Sequence, residues 1–150
     1  MGPDVPQGAL SDGRVAFDYW KDVRDSALAT IFDDSVRPVA SASLVDLIDA
    51  GHPVCDELSV IATPGHSPGH FSVHVRSRGE DALLIGDVAH HPCQMVHLDW
   101  CSTIDFDPAQ TIRTRNELLA RFAGTPTLIL AGHFVGGTIV RDGDMFRLVM

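Results

Sequence analysis

The sequence predicts an α/β protein with one sheet and helices packed beside it. The first third carries apolar residues at helical spacing, whereas most of the remainder consists of short aliphatic runs bounded by Gly, Pro and Asp. A length of 150 residues, of which 45% are hydrophobic, allows one domain with a core of its own. No internal repeat or linker divides the chain, so a single unit is expected.

Two helices are predicted before residue 50. Apolar side chains recur at helical spacing from Phe17 to Phe32, and the sequence Asp33-Asp34-Ser35 is expected to end this helix and cap the next. The second helix is predicted from Val36 to Ile48, with Pro38 in its first turn. Gly51-His52-Pro53 then predicts a turn.

The rest of the chain alternates strands with one long loop and one helix. Ser77–Glu80 and Asp142–Asp144 are predicted as hairpin loops, and 87–107 as a long irregular segment. Asp107 and Pro108 have the residue types of a helix cap and first position, which predicts a helix to Phe122. The predicted strands are Leu58–Ala62, Phe71–Arg76, Ala82–Ile85, Thr127–Leu130, Thr138–Arg141 and Met145–Val149.

Charge and composition limit the possible partners and compartments. With 11 basic and 20 acidic residues the net charge is −9, so nucleic acid and anionic membranes are not expected to bind. Residues 1–13 are rich in Gly, Pro and Asp and are predicted to form a flexible lead. They lack the apolar core of a signal peptide, so none is expected. No apolar run approaches the length of a membrane span. Three cysteines argue against a disulfide framework, and a cytoplasmic location is predicted.

Three short motifs follow directly on predicted strands. They are Thr63-Pro64-Gly65-His66-Ser67-Pro68-Gly69-His70, Ile85-Gly86-Asp87 and Ala131-Gly132-His133. Side chains at strand ends can converge from distant parts of a sequence, and His and Asp are ligands that zinc, manganese and iron accept. We therefore expect His66, Asp87 and His133 to meet around a shared cation position.

The order T-P-G-H-S-P-G-H, then G-D, then A-G-H resembles the C-terminal half of the metallo-β-lactamase fold hydrolases. The stretches 86–92 and 146–149 resemble the branch that contains lactonases and organophosphate esterases. The resemblance implies that residues 14–150 form half of an αββα sandwich, with one mixed sheet and helices on one face. It also implies metal-dependent hydrolysis of a small ester-like substrate (a lactone, ester, thioester or phosphotriester) with zinc, or manganese or iron, as one or two ions.

The resemblance assigns roles to individual residues. His66 would bind one metal and His133 the second, while Asp87 would bridge the two ions and act in catalysis. His70 would orient the ligand loop from outside the metal shell or serve a purely structural role. Candidates for the pocket wall, which a packed surface loop would explain equally well, are His90, His91, Met95, His97, Trp100 and Phe134.

The upstream H-x-H-x-D-H motif of these hydrolases is missing from the chain. The nearest string, 95–100, has Met95 and Trp100 where imidazoles are needed, and it follows the G-D motif rather than preceding it. Each ion would keep only two protein ligands, whereas a catalytic zinc usually has three. We expect weak or single-ion binding, with hydrolysis dependent on a complementary N-terminal half. The alternative is a non-catalytic remnant or partner-binding module with at most one weak metal site.

Two further expectations concern the loop and the sheet. The loop after Asp87 could form a closed structural zinc site from His90, His91, Cys93, His97 and Cys101. Alternatively, Cys93 and Cys101 could form a disulfide. Half of a sandwich would also leave one sheet face uncovered, which predicts self-association, a complementary chain or low solubility. That face is predicted to carry Leu58, Val60, Leu84, Leu128 and Leu130, or their alternates.

Overall fold

The computed structural model describes residues 10–24 and 27–150, and the N-terminal region within them forms a small layer of its own. Strand β1 (Leu10–Gly13) leads into helix α1 (Arg14–Trp20). Helix α2 (Ala27–Ile31), a π-helical turn (Phe32–Val36) and helix α3 (Arg37–Ser41) follow without a break, and strand β2 (Val45–Ile48) ends the region. Strands β1 and β2 pair in parallel, with Leu10 opposite Val45 and Gly13 opposite Ile48.

The predicted helices of this region were wrong in their extents. The first helical pattern is divided after Trp20, and Asp33–Ser35 continue the chain as a π-helical turn instead of ending a helix. The second predicted helix ends at Ser41, and Ser43 with a φ of 58° turns the chain into β2. The short apolar run 45–48 forms a strand because it pairs with residues 10–13, which the predicted flexible lead had included.

A four-stranded sheet forms the centre of the molecule. It contains β3 (Leu58–Ala62), β4 (Phe71–Ser77), β5 (Glu80–Gly86) and β6 (Leu128–Ala131), in that order. The first two pairings are antiparallel and the pairing of β5 with β6 is parallel. All four strands were predicted to within a few residues. Arg78 and Gly79, with φ of 54° and 84°, form the tight turn between β4 and β5.

One long helix covers one face of this sheet. Helix α4 (Pro108–Phe122) begins after Asp107, whose side chain accepts a hydrogen bond from the backbone N–H of Gln110 at 2.9 Å, as the cap prediction requires. A 3-10 helix (Pro92–Met95) lies in the loop between β5 and α4. The buried face of α4 packs on the sheet in a core that contains Leu83, Ile85, Leu118, Leu119, Phe122 and Ile129.

A second hairpin closes the chain beside the central sheet. Strands β7 (Thr138–Asp142) and β8 (Met145–Val149) pair antiparallel and join the main core through Ile139 and Phe146. An isolated bridge between Ile129 and Gly137 links this hairpin to β6. The fold is therefore a mixed sheet with its long helix on one face, as predicted, accompanied by two small two-stranded sheets. None of the helices in the described ranges is long and apolar enough to cross a membrane.

The other face of the central sheet is mostly apolar. Strand register places Ser77 and Glu80 there beside the β4–β5 turn, together with ten apolar residues: Leu58, Val60, Ala62, Phe71, Val73, Val75, Ala82, Leu84, Leu128 and Leu130. The β3–β4 end shares a cleft with residues of β1, β2 and α1, and Val60 is only 6% exposed. At the β5–β6 end Leu84, Leu128 and Leu130 remain 41%, 42% and 39% exposed. The predicted uncovered face is thus present at these three leucines but not at Val60, which the N-terminal layer covers.

Candidate metal centre

Three strand ends bring the predicted ligands together. His66 lies in the loop after β3, Asp87 follows β5, and His133 follows β6. The Nε2 atom of His133 is 2.7 Å from Oδ1 of Asp87, and Nε2 of His66 is 3.6 Å from Oδ2 of the same carboxylate. Asp87 therefore stands between two imidazoles that come from sequence positions 67 residues apart.

The loop that carries His66 is fixed against the start of α4. Gly65 has a φ of 137°, and a Cβ at this position would lie 2.5 Å from the backbone nitrogen of Thr111. The carbonyl of Gly65 accepts from the N–H of Asp107 at 2.9 Å, and the carbonyl of Pro64 accepts from the Thr114 hydroxyl at 2.6 Å. A glycine is thus required where the loop touches the helix, and the helix sets the position of the neighbouring imidazole.

Asp105 orients His66 and was not identified from the sequence. Its Oδ1 atom lies 2.9 Å from Nδ1 of His66, and its Oδ2 accepts from the N–H of Ser102 at 2.8 Å. The carboxylate is completely buried. Asp105 favours the tautomer of His66 in which Nδ1 carries the proton. The lone pair of Nε2 then faces Asp87. No sequence motif marks Asp105, because it reaches His66 only through the fold of the long loop.

His70 holds the backbone of Asp87 rather than its carboxylate. The Nδ1 atom of His70 is 3.1 Å from the carbonyl of Thr63, and its Nε2 accepts from the N–H of Asp87 at 3.3 Å. Burial lowers the pKa of His70 and outweighs the opposing charge of Asp87. A neutral ring with Nδ1 protonated satisfies both bonds. The structure therefore places His70 behind the predicted ligands, in contact with the chain that carries one of them.

The carboxylate of Asp87 is electrostatically suited to stay ionised. Burial alone would raise its pKa, but the hydrogen bond from His133 and the charges of His66 and His90 outweigh burial and lower the pKa below the ordinary 3.8. Its side chain is 37% exposed and that of His133 is 50% exposed, so both face solvent on one side. An ionised carboxylate with accessible oxygens can accept a cation.

His90 lies inside the cluster, although the sequence indicated it as a possible pocket wall or as a ligand of a Cys–His site. Its ring centroid is 4.9 Å from that of His66 and 4.9 Å from that of His133. Both of its ring nitrogens are buried, and neither has a hydrogen-bond partner among the described residues. Burial lowers the pKa of His90, followed by the charge of His66. The spacing Asp-x-x-His at the strand end is the sequence signal that would have found it.

The other predicted pocket residues make contacts of their own outside the ligand cluster. His91 caps the 3-10 helix, because its Nδ1 accepts from the N–H of Cys93 at 3.1 Å. The ring of His97 stacks on Trp100 at a centroid distance of 4.1 Å. Met95 is a core residue at 2% exposure, and Phe134 packs at the edge of the core.

The cysteine alternatives are not formed. Cys93 and Cys101 are free thiols, and the Sγ of Cys101 lies 3.3 Å from the carbonyl of Pro108. Within residues 10–24 and 27–150, the His, Cys, Asp and Glu groups close enough to hold a metal contain no cysteine. The predicted Cys–His zinc site and the disulfide were therefore wrong.

The donor atoms that do converge suit a divalent transition metal. Two sets have all their ligand atoms within 4.8 Å of one another: Asp87 with His90 and His133, and His66 with His90 and Asp105. Imidazole and carboxylate donors are the types that zinc, manganese and iron accept, and the unpartnered nitrogens of His90 lack any other explanation in the fold. The residues present thus fit a bound cation.

Solved structures with the same fold are hydrolases of the metallo-β-lactamase superfamily. The hydrolase AbOPH of the β-lactamase superfamily matches with a TM-score of 0.81 at 22% identity, over 94% of this chain and 54% of its own. AidC, a dizinc quorum-quenching lactonase, matches with a TM-score of 0.75 at 17% identity, over 93% of this chain and 53% of its own. A probable metal-dependent hydrolase from Staphylococcus aureus matches at 0.58 and 20% identity, over 72% of this chain and 41% of its own.

These matches define the fold of the chain as about half of a metallo-β-lactamase domain. The resemblance in the sequence motifs is thereby confirmed at the level of the fold, and the chain spans about half the length of the structures it matches. No protein-family model matches the sequence, and no curated protein matches it significantly.

Proposed function

We propose that this chain is the metal-binding C-terminal half of a metal-dependent hydrolase. The observation that carries the proposal is the position of Asp87 between His66 and His133, each delivered by the end of a different strand. The fold shared with AbOPH and AidC supports the same class of chemistry. We propose that the full site is completed by ligands beyond those in this chain.

Some of the residues present would bind the metal ion, and others position these ligands. His66, Asp87 and His133 would hold zinc, or manganese or iron, and the bound ion would lower the pKa of a water molecule and polarise a carbonyl or phosphoryl oxygen. Asp105 keeps Nε2 of His66 unprotonated and pointed inward. His70 fixes the backbone from which the Asp87 carboxylate projects, so this carboxylate would be held in position to bind the ion.

The substrate class we propose is a small neutral ester-like molecule: a lactone, ester, thioester or phosphotriester. AidC was solved with the product N-hexanoyl-L-homoserine, which supports a lactone among these. The net charge of −9 offers little attraction to strongly anionic substrates. The exposed sides of Asp87 and His133 provide the open approach that such a substrate needs.

The test is a hydrolysis assay of the chain alone and of the chain co-expressed with an adjacent reading frame that carries H-x-H-x-D-H. Metal-loaded protein would be assayed with a lactone, an aryl ester, a thioester and a phosphotriester. We expect turnover from the combination, weak or no turnover from the chain alone, and loss of turnover in Asp87→Asn. Asp99→Asn, in an exposed part of the same loop, is the control and should keep full turnover. Turnover unaffected by Asp87→Asn would refute the proposal.

A second candidate function is a non-catalytic module that binds a partner through the uncovered sheet face. The exposed side chains of Leu84, Leu128 and Leu130 favour it, because they form a continuous apolar strip on neighbouring strands. The partner would be a second copy of this chain or a complementary half of the fold. The same co-expression separates the two functions, since the second predicts a stable complex that shows no turnover with any of the four substrates.

A further inference from the structure

His90 is held in place through its backbone, whereas its two ring nitrogens have no hydrogen-bond partner among the described residues. The backbone N–H of His90 donates to Oε1 of buried Gln94 at 2.7 Å, and the preceding Ala89 is completely buried. The other imidazoles of the cluster each have a polar partner within 3.1 Å: His66 at Asp105, His70 at Thr63 and His133 at Asp87. Only His90 buries two ring nitrogens without a hydrogen bond among the described residues, an arrangement that costs stability unless something binds there.

The unpartnered ring faces the carboxylate that the proposed function already uses. Nε2 of His90 is 3.8 Å from Oδ1 of Asp87, and Nε2 of His133 is 2.7 Å from the same oxygen. Nitrogen and oxygen ligands at ordinary zinc distances are separated by about 3.4 Å around a tetrahedral ion. His90 would therefore move closer to Asp87 by about 0.4 Å and His133 would move away by about 0.7 Å. Such shifts are within the reach of side-chain rotation.

We propose that Asp87, His90 and His133 alone hold one divalent cation, with His90 as the third protein ligand. Two ligands per ion were all that the sequence motifs offered, and His90 brings one site to the three that a metal with an open position usually has. The set of two imidazoles and one carboxylate, with one side exposed, suits zinc, cobalt, manganese or iron(II). The inference shares two residues with the proposed function but does not require the complementary half.

The competing set of His66, His90 and Asp105 is less suitable for an ion. Both oxygens of Asp105 are already bonded, one to His66 and one to the N–H of Ser102, and the carboxylate is completely buried. An ion there would compete with the hydrogen bond between Asp105 and His66 and would lie at a carboxylate that solvent does not reach. His66 is therefore held beside the one-ion site, where it faces the second oxygen of Asp87.

The experiment is a titration of metal-free protein with Co²⁺, followed by visible absorption, and with Zn²⁺, followed by calorimetry. We expect one ion per chain. His90→Ala should weaken binding about tenfold or more, since loss of even a residue that supports a ligand costs that much. His97→Ala is the matched control, because His97 stacks on Trp100 outside the cluster. It should bind as the wild type does.

A second measurement covers the case in which His90→Ala does not fold. Long-range ¹H–¹⁵N NMR of wild-type imidazoles, with and without Zn²⁺, should show that a ring nitrogen of His90 and one of His133 become coordinated. One ion bound through His66 with His90 unchanged would overturn the inference and leave the proposed function standing. Absence of any binding by the isolated chain would overturn it in the same way, because the proposed function needs binding only in the completed site.

Discussion

The buried arginine of α4 gives the most direct test of how the long loop is positioned. Arg115 is fully buried, and its guanidinium donates to three backbone carbonyls of the loop. Nε bonds to Val88 at 3.0 Å, and Nη1 bonds to Leu98 at 3.2 Å and to Trp100 at 2.6 Å. These three residues bracket the segment that carries His90, so one side chain of the helix fixes both ends of it.

The expected cost of Arg115→Met follows from these contacts. A hydrogen bond from a charged donor contributes about 1.5 to 3 kcal/mol, and the mutation leaves three buried carbonyls without that donor. Part of this loss is offset, because burying the charged guanidinium costs free energy and the variant no longer does so. The same cost is visible in the pKa of Arg115, which burial lowers. We expect a net loss of about 2 to 4 kcal/mol in the free energy of unfolding, together with a more mobile loop.

Urea unfolding of metal-free protein, followed by circular dichroism, measures the change. Fluorescence of Trp100, whose carbonyl is one of the acceptors, reports on the loop separately. Arg113→Met is the control: this arginine is exposed on the same helix and bonds only to Oε1 of Gln110, at 2.7 Å, so it should cost less than about 0.5 kcal/mol. Equal stability of the two variants, with unchanged fluorescence, would show that Arg115 does not anchor the loop.

Two further predictions concern the backbone and acid stability. Gly65→Ala should lower the free energy of unfolding in urea by more than about 3 kcal/mol, because the added Cβ would lie 2.5 Å from the backbone of α4. Gly79→Ala is the control: Gly79 has a φ of 84° but open space around it, so the loss should be about 1 kcal/mol. Burial would raise the pKa of Asp81, but hydrogen bonds from His74 and Thr127 outweigh it and lower the pKa below 3.8. Because the pKa of Asp81 is lower in the folded protein, its ionised carboxylate stabilises the fold fully at any pH above the pKa of the unfolded state. This stabilisation is lost as the pH falls through the pKa of the folded state. Asp81→Asn should therefore be less stable than wild type by about 1 kcal/mol at pH 6, and the gap should narrow as the pH falls below the ordinary aspartate pKa of 3.8; a constant gap would contradict this.

The central sheet could be predicted from the sequence because local signals there agree with the tertiary structure. Strands β3, β4 and β5 are separated by Gly- and Pro-containing turns, and each alternates between the α4 face and the apolar face. The N-terminal region could not be predicted in the same way. Its run 45–48 is short and apolar, so periodicity does not distinguish helix from strand. Residues 45–48 form a strand because they pair with residues 10–13, more than thirty positions away in the sequence.

The candidate site was predictable only where a motif marks it. His66, Asp87 and His133 follow strands and lie within short glycine-containing motifs, so their convergence could be expected. Asp105 and Arg115 act through an irregular loop whose path depends on packing, and neither has a spacing that indicates its partner. Sequence reasoning finds residues that a strand or helix delivers to a site, but it does not find those that a folded loop delivers.

The uncovered leucines and the metal ligands lie on the same two strands. Leu84 pairs with Leu130, and each lies three residues before Asp87 or His133. At about 3.3 Å per residue the strip therefore begins about 10 Å from the ligands. The three exposed leucines leave on the order of 200 Å² of apolar surface in water, and covering it would contribute up to about 5 kcal/mol. A partner that covers this strip would therefore lie close to Asp87 and His133. On the α4 side of the sheet, Arg115 bonds to the carbonyl of Val88, which fixes the backbone beside Asp87 without any partner.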